Sequence, residues 1–369
     1  MSTYLELCNK VAVLLNEVEL TAVASATGVQ KTIKEGINMA IRDVINFELE
    51  WPFNHQTQSD TLTPGIGEYD LPSDFRTVDW DSFFVRPAEL LTNVLFASDI
   101  SSWTDVSGGT GSAAHTTDGN GRMRLTGDGT NAGAATQAIS THVGKTYLVV
   151  ARHFNNAVTL KVGTTSGGEE ILSQEFALNN AGIGEFGQKT FTATATTTYI
   201  TFSTTSTTAA DVDQLFCRRN ETPRPLKWIS YDEYRFDRTL TTKSADVWNK
   251  PDVFAIPRLV YEMNNDKYGV HPKPDEEWVV DYEYWNVPDD LSVDASTSVI
   301  PTRYENAIVA GARYYVLSLR SDPAFADRAR KEWEQLVKRM RTELINTKDE
   351  MKSTRENVRS SPHPFFGAI

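Results

Sequence analysis

Residues 146–150 read TYLVV and residues 158–162 read VTLKV, and these two runs decide the fold of the middle of the chain. The first run is apolar almost throughout, as in a buried strand. The second alternates between apolar and polar residues and precedes the turn Ser166-Gly167-Gly168. Earlier, the sequence DGNG at 118–121 separates two strand-like runs and predicts a β-hairpin. Short strands that recur between such turns are typical of a β-sandwich or jelly roll.

The amino-acid composition changes sharply at both edges of this β-rich segment. Between about residues 92 and 217, Thr, Ser, Gly and Ala make up about half of the chain, whereas Lys and Arg are sparse. Charged residues, aromatic residues and prolines return on either side. Two such shifts predict a domain inserted into a loop of another domain. We expect a β-sandwich insert at 92–217 and a discontinuous domain made of 1–91 and 218–369.

The flanking segments carry helical signals. Thr3-Tyr4-Leu5-Glu6 is a capping-box pattern that starts one helix, and a second helix is expected at about 32–48, ended by Trp51-Pro52. Farther along, Thr302-Arg303-Tyr304-Glu305 is another capping box, and Asp322-Pro323 begins a last helix that reaches about residue 348. Strand-like runs lie at 56–61, 67–71, 77–85, 226–229, 254–263 and 278–285. The predicted fold class is α+β: a helical bundle with β-elements, interrupted by an all-β jelly-roll or sandwich insert.

The charge and the cysteines limit the classes of function. The 369-residue chain has a net charge of −13 at pH 7, which disfavours free attraction to nucleic acid, although an acidic wall can surround DNA without holding it. Cys8 and Cys217 lie far apart without metal or redox spacing, which fits a protein made in a reducing cytoplasm. Neither a secretory signal nor an apolar run of about 18 residues is visible, so we expect no membrane partner.

Motifs for catalysis are scarce. The histidines are scattered without HExxH spacing, and no G-x-S-x-G elbow occurs. The glycines at 109–111 and 127–129 lack a Walker lysine and dinucleotide spacing, so we interpret them as turns. We expect no catalytic site and no cofactor. Paired glycosidase carboxylates have no fixed spacing, which leaves a cell-wall hydrolase as an alternative.

Asp211 and Asp213 are weak candidates for calcium ligands, because calcium takes carboxylate and carbonyl oxygens. The alternative interpretation is a solvated turn at the start of a strand. The sequence predicts no other metal site.

The last helix combines charges with an apolar seam. Acidic residues interleave with its basic residues at spacings of three and four, which is typical of a solvated, ion-paired face, with a nucleic-acid patch as the alternative. The seam of Trp333, Leu336 and Met340 needs a partner, and we expect a neighbouring subunit. The basic residues are Arg328, Arg330, Lys331, Lys338, Arg339 and Arg341.

Four stretches of the flanking segments resemble the head-to-tail adaptors of short-tailed phages, the tail tubular protein A-like family. They are Trp51-Pro52-Phe53, the stretch 225–234 (PLKWISYDEY), the turn 271–275 (HPKPD) and the helix start 300–305 (IPTRYE). Together with their surroundings they cover about 240 residues outside the insert. The resemblance consists in the order of elements more than in a unique signature.

This resemblance implies a structural virion protein at the head–tail junction. It implies a ring, usually of twelve copies, that docks below the portal protein, meets the tail nozzle and continues the DNA channel without sequence-specific binding. A C-terminal extension of the family reaches the portal, and here the polar segment 352–369 has the composition of a tail that orders on binding. The expected portal-contact residues are Lys352, Arg355, Arg359, Phe365 and Phe366.

The insert resembles a carbohydrate-binding module, on the stretches 93–95 (NVL), 103–104 (WT), 144–147 (GKTY) and 211–215 (DVDQL). Such modules stack sugar rings on exposed aromatics, for which Trp103 and Tyr147 are the candidates. Both fit equally well as core aromatics. The resemblance implies an outward accessory that contacts glycans or tail fibres, and it leaves a glycan-binding adhesin as the alternative function.

Overall fold

The computed structural model describes residues 2–179, 184–236, 254–263, 266–320 and 323–346, which form helices and several β-sheets. Strand is more abundant than helix. The helices are Tyr4–Leu14 (α1), Val29–Phe47 (α2), Tyr231–Phe236 (α3), Glu305–Leu319 (α4) and Pro323–Arg341 (α5). The strands are His55–Leu62 (β1), Glu68–Asp70 (β2), Phe75–Pro87 (β3), Thr104–Asp105 (β4), Ser112–Thr116 (β5), Arg122–Thr126 (β6), Gly133–Ser140 (β7), Thr146–Phe154 (β8), Val158–Gly163 (β9), Leu172–Phe176 (β10), Glu185–Thr192 (β11), Thr197–Thr204 (β12), Ala210–Arg219 (β13), Arg224–Pro225 (β14), Lys227–Ile229 (β15), Leu259–Met263 (β16), Lys267–His271 (β17) and Trp278–Asn286 (β18).

The chain divides into two compact units. The first contains the described residues within 1–58, 70–80 and 282–346, and the second those within 59–69 and 81–281. Four long helices, α1, α2, α4 and α5, belong to the first unit. The second unit contains the whole segment 92–217 and extends beyond it on both sides, so the unit boundaries differ from the predicted domain boundaries.

The helix starts and ends have local causes. The capping box at the start of α1 is confirmed, because the Glu6 N–H donates to Thr3 Oγ1 (3.3 Å) and the Thr3 N–H donates to the Glu6 carboxylate (2.9 Å). The helix stops at Leu14, before Asn16 takes a left-handed φ of 55°. The predicted capping box before α4 is wrong: the Glu305 carboxylate instead accepts hydrogen bonds from Ser2.

The helices of the first unit pack closely around glycines on α2 and α4. A Cβ on Gly311 would lie 2.8 Å from Ala40 Cβ and 3.0 Å from Trp333 Cδ1, so α4 approaches both α2 and α5 at this residue. A Cβ on Gly36 would lie 3.2 Å from the Ala312 carbonyl oxygen. Glycine is therefore required at Gly311 for close approach, not for backbone conformation.

Two five-stranded sheets form the β-sandwich of the second unit, with strand orders β10-β9-β12-β7-β4 and β11-β8-β13-β6-β5. Alternate residues of β8, β9, β12 and β13 fill a core drawn from residues 91–217. The predicted hairpin is confirmed, since β5 and β6 pair antiparallel around the turn at 118–121. Two four-stranded sheets complete the described chain, in the orders β1-β18-β3-β14 and β15-β16-β17-β2.

The two ends of the sandwich segment are bonded to each other. The Leu90 N–H donates to the Cys217 carbonyl oxygen (2.8 Å), and the Glu89 carboxylate accepts hydrogen bonds from the Cys217 N–H (2.7 Å) and the Leu91 N–H (3.0 Å). Burial raises the pKa of Glu89 despite these hydrogen bonds. Just outside the segment, β14 pairs with β3. The chain thus leaves for the sandwich and returns from it at adjacent points.

A buried ion cluster joins the sandwich to the segment before β18. Arg219 is only 5% exposed, and its Nη1 donates to Glu276 (2.5 Å) and Asp275 (3.1 Å). The Tyr147 hydroxyl donates to Glu276 (3.2 Å), and the Trp278 indole donates to Asp275 (3.1 Å). We call these five residues the Arg219 cluster. Burial favours a lower pKa for Arg219, but the two carboxylates outweigh it and raise the pKa.

Replacing Gly311 with Val is expected to destabilise the helical unit by about 1–3 kcal/mol, because the added methyl groups collide with Ala40 and Trp333. Thermal or urea unfolding measures this loss. Ser318→Val, an exposed change to the same β-branched residue on the same helix, is the control and is expected to cost less than about 1 kcal/mol. Equal losses for the two variants would contradict the close packing of α4.

Replacing Arg219 with Met is expected to destabilise the protein by about 3–5 kcal/mol at pH 7, because Glu276 and Asp275 lose their counter-charge. The pKa of Asp275 is lowered in the folded state. The contribution of this carboxylate to the free energy of unfolding of the wild type is therefore present above about pH 4 and is lost at lower pH, as the carboxylate becomes protonated. The deficit of the variant should therefore narrow at acid pH. Calorimetry at several pH values tests this, with Arg218→Met as the control, and a deficit no larger than that control would contradict the cluster's role.

Candidate functional site

The apolar seam of α5 is covered by the chain's own helices. Met340 is fully buried in the core of the first unit, and Leu336 packs against that core. Trp333 lies against Gly311 of α4 and contacts Phe47 edge to face, with ring centroids 6.5 Å apart. The expected subunit contact through Trp333, Leu336 and Met340 is therefore corrected, because α2 and α4 already occupy the seam.

The basic residues of α5 are partly paired. Arg330 binds Glu334 (3.1 Å) and Arg339 binds Glu343 (2.8 Å), both at the i,i+4 spacing. Arg341 reaches Glu48, the residue after α2 (2.6 Å). These pairs support the interpretation of an ion-paired face, each pair contributing little where it is exposed. Three exposed cations form no ion pair within the described residues: Arg328, Lys331 and Lys338.

Both aromatic candidates for glycan stacking are core residues. Trp103 is 6% exposed, packs against Phe96 and Phe202, and donates its indole N–H to the Thr92 carbonyl oxygen (3.2 Å). Tyr147 is 1% exposed and stacks on a phenylalanine of β11. Neither ring has an exposed face on which a sugar could stack, so their expected role in glycan stacking is wrong.

Asp211 and Asp213 are buried on β13, neither in a solvated turn nor in a calcium site. Asp211 is fully buried, and Arg124 binds it with two nitrogens (2.7 and 2.9 Å) while Asn155 donates a further hydrogen bond (2.8 Å). Burial raises the pKa of Asp213, which lies near Arg122. No three His, Cys, Asp or Glu side chains converge among the residues that the structure describes. The calcium expectation is corrected, since arginine already neutralises Asp211.

The sandwich carries an open cleft of about 370 Å³ on its β7–β12 sheet. Tyr199 lines it, opposite Ala138 in the strand register, while its neighbours Ile200 and Phe202 point into the core. Thr136 also lines the cleft, and its hydroxyl accepts from the Thr201 hydroxyl (2.8 Å). The remaining lining residues are Leu90, Thr92, Ser102, Thr104, Gln137 and Ser166.

Tyr199 is a lining residue that the sequence argument missed. The alternation of residues 198–204 could have indicated it, because it places Tyr199 on the opposite face from Ile200 and Phe202. Alternation alone does not say which face is the core, and a threonine-rich strand gives little contrast between the two. The sequence therefore does not distinguish the partly exposed Tyr199 from a core aromatic.

The expected portal-contact residues Lys352, Arg355, Arg359, Phe365 and Phe366 lie outside the described residues, as does the whole segment 352–369. Among the described helices, none is long and apolar enough to cross a membrane.

Three of the solved structures that match the chain each cover little more than a third of it. Tailspike protein 4 of bacteriophage CBA120 is 14% identical over 36% of this chain and 21% of its own enzymatically active domain (TM-score 0.31). TmCBM61, solved with β-1,4-galactotriose, is 16% identical over 36% of this chain and 99% of its own (TM-score 0.29). The xylan-binding CBM22-1 domain of Paenibacillus barcinonensis Xyn10C is 15% identical over 37% of this chain and 97% of its own (TM-score 0.27). At these scores the similarity does not extend to function.

No curated protein is significantly similar in sequence to this chain. The family model described as SU10 adaptor protein matches residues 168–362, more than half of the chain. The matched range includes three of the stretches that resemble phage adaptors, at 225–234, 271–275 and 300–305. The chain therefore belongs to the SU10 adaptor protein family, a family of phage adaptors that are components of the virion.

Proposed function

We propose that this protein is a head-to-tail adaptor that forms a ring below the portal and continues the DNA channel into the tail. The single observation that carries the proposal is the family match over residues 168–362. The adaptor family also points to a non-catalytic structural protein, so cell-wall hydrolysis is not proposed.

The ring is proposed to contain twelve copies and to contact the portal above and the tail nozzle below, as the tail tubular protein A-like resemblance implies. A net charge of −13 on each copy supports a channel that repels the phosphate backbone, so that DNA slides instead of sticking. Synthesis in the host cytoplasm completes the proposal, and the two free, buried cysteines are compatible with it.

The sandwich at 92–217 is proposed to be an insertion in this adaptor, carried as an outward accessory. The hydrogen bond between Leu90 and Cys217 supports this, because an inserted domain whose ends are adjacent leaves the host loop undisturbed. The insert is then free to vary in its contacts, such as tail fibres, without altering the ring.

Residues Lys352, Arg355 and Arg359 are proposed to bind the portal electrostatically, with Phe365 and Phe366 as apolar anchors. Replacing the three basic residues with Glu is expected to abolish co-purification with the portal, while native mass spectrometry still shows the ring. The matched control reverses three exposed lysines of the second unit, Lys145, Lys189 and Lys227, and is expected to keep portal binding. Equal loss of portal binding in both triple variants would contradict a specific contact by the C-terminal residues. A wild-type protein that stays monomeric in the presence of the portal would contradict the adaptor function.

A second candidate function is glycan binding by the sandwich, which the polar cleft containing Tyr199 favours. Hydroxyl groups from its Thr and Ser residues suit the hydroxyls of a sugar, and a partly exposed tyrosine suits its ring face.

Tyr199→Ala is expected to lower binding on a glycan array at least about tenfold, because the stacking surface is lost. Phe186→Ala is the control: this residue is 63% exposed on the other sheet and is expected to leave binding unchanged. If the wild-type protein binds no glycan, or if Phe186→Ala has the same effect as Tyr199→Ala, the cleft is not a glycan site.

A further inference from the structure

The second unit contains a cavity of about 260 Å³ at the edge of the Arg219 cluster. Its lining combines apolar residues, such as Pro64 and Leu90, with the charged residues Arg219, Glu276 and Glu277. The other lining residues are Ala88, Ser140, His142 and Tyr147. A concave site with an apolar wall and a few convergent charged groups is the usual form of a ligand site. All of its lining residues belong to the second unit.

The charges around this cavity do not balance. Arg219 has three carboxylates within reach, Glu276 at 2.5 Å, Asp275 at 3.1 Å and Glu221 at 3.6 Å. Burial favours a higher pKa for Asp275, but hydrogen bonds from an indole and from Arg219 outweigh it and lower the pKa. Glu277 is exposed, lines the cavity and forms no ion pair within the described residues. The cavity lining itself carries two carboxylates, Glu276 and Glu277, against one permanent cation, Arg219, and His142 lies 3.8 Å from Glu276 in the same lining.

Arg219 also keeps an unused donor. Its side chain is only 5% exposed and lines the cavity, and its Nε–H is buried without a hydrogen-bond partner among the described residues. Buried donors in folded proteins are nearly always paired. A ligand for this site would present a cation to the carboxylates, whereas this N–H is too buried for a ligand to reach.

An exposed apolar surface adjoins the cavity. Pro64 lines the cavity itself, Ile66 is 47% exposed and Phe254 is 55% exposed. Gly65 connects them: its N–H donates to the Pro274 carbonyl oxygen (2.9 Å), and a Cβ on this glycine would lie 3.7 Å from the Phe254 ring. The acidic cavity therefore has an apolar rim.

We propose that the cavity binds a segment of a partner protein that presents a lysine or arginine next to an apolar side chain. The cation enters among the carboxylates, its aliphatic stem lies along Pro64 and Leu90, and the apolar neighbour covers Ile66 and Phe254. An anion would meet these carboxylates instead. The proposal goes beyond the head-to-tail function and does not require the ring.

The test titrates acetyl-Phe-Arg-amide into the full chain and follows the NMR line broadening of this probe. We expect it to bind at least about tenfold more tightly than acetyl-Phe-norleucine-amide, because only the arginine side chain meets the carboxylates. Binding is expected to weaken about threefold in Glu277→Gln and about tenfold in Glu277→Lys. Glu233→Lys, the same change on an exposed residue of α3, is the control and leaves binding unchanged.

Because Glu277 is exposed, both of its variants are expected to unfold at the wild-type temperature, so a loss of binding is not a loss of fold. Equal affinity for the arginine and norleucine probes would overturn the proposal in favour of a merely apolar surface. Tighter binding of acetyl-Phe-Glu-amide, or no effect of Glu277→Lys, would overturn it too. If the chain binds the arginine probe as stated but forms no ring, the head-to-tail function is contradicted and the proposed binding site is still supported.

Discussion

The hydrogen bond from the Leu90 N–H to the Cys217 carbonyl oxygen holds together the two points at which the chain leaves for the sandwich and returns from it. The Glu89 carboxylate reinforces this junction by accepting from the N–H groups of Cys217 and Leu91. Adjacent ends of this kind are what allow one domain to be inserted into another without separating the host strands. Just outside the junction, β3 and β14 pair antiparallel.

Each part of the chain has a hydrophobic core of its own. The helices of the first unit close around Gly311, and the sandwich fills its core from alternate strand residues between 91 and 217. In the proposed function these two parts take different roles, assembly for the helical part and outward contact for the sandwich. The Arg219 cluster lies wholly within the second unit, where a buried, multiply paired arginine joins the end of β13 to the segment before β18.

Local chemistry made much of this fold predictable. Thr3 and Glu6 define a helix start by their own hydrogen bonds, and the DGNG turn requires only its four residues, so both could be predicted from the sequence. The functional surfaces could not, because they depend on distant partners. Asp211 is neutralised by Arg124, which lies 87 residues earlier in the chain, and no sequence spacing predicts that these two residues form a pair. The sequence around Trp333 fits a subunit interface as well as packing within the chain, and its contacts with Gly311 and Phe47 appear only in the folded structure.

The central claim is that a phage adaptor carries a β-sandwich as an outward accessory, and cryo-electron microscopy of the purified virion tests it most directly. The account predicts a ring of this chain between portal and tail, with the helical unit in the ring and the sandwich on its outer surface. Density for this chain at the far end of the tail, or its absence from the head–tail junction, would contradict the account.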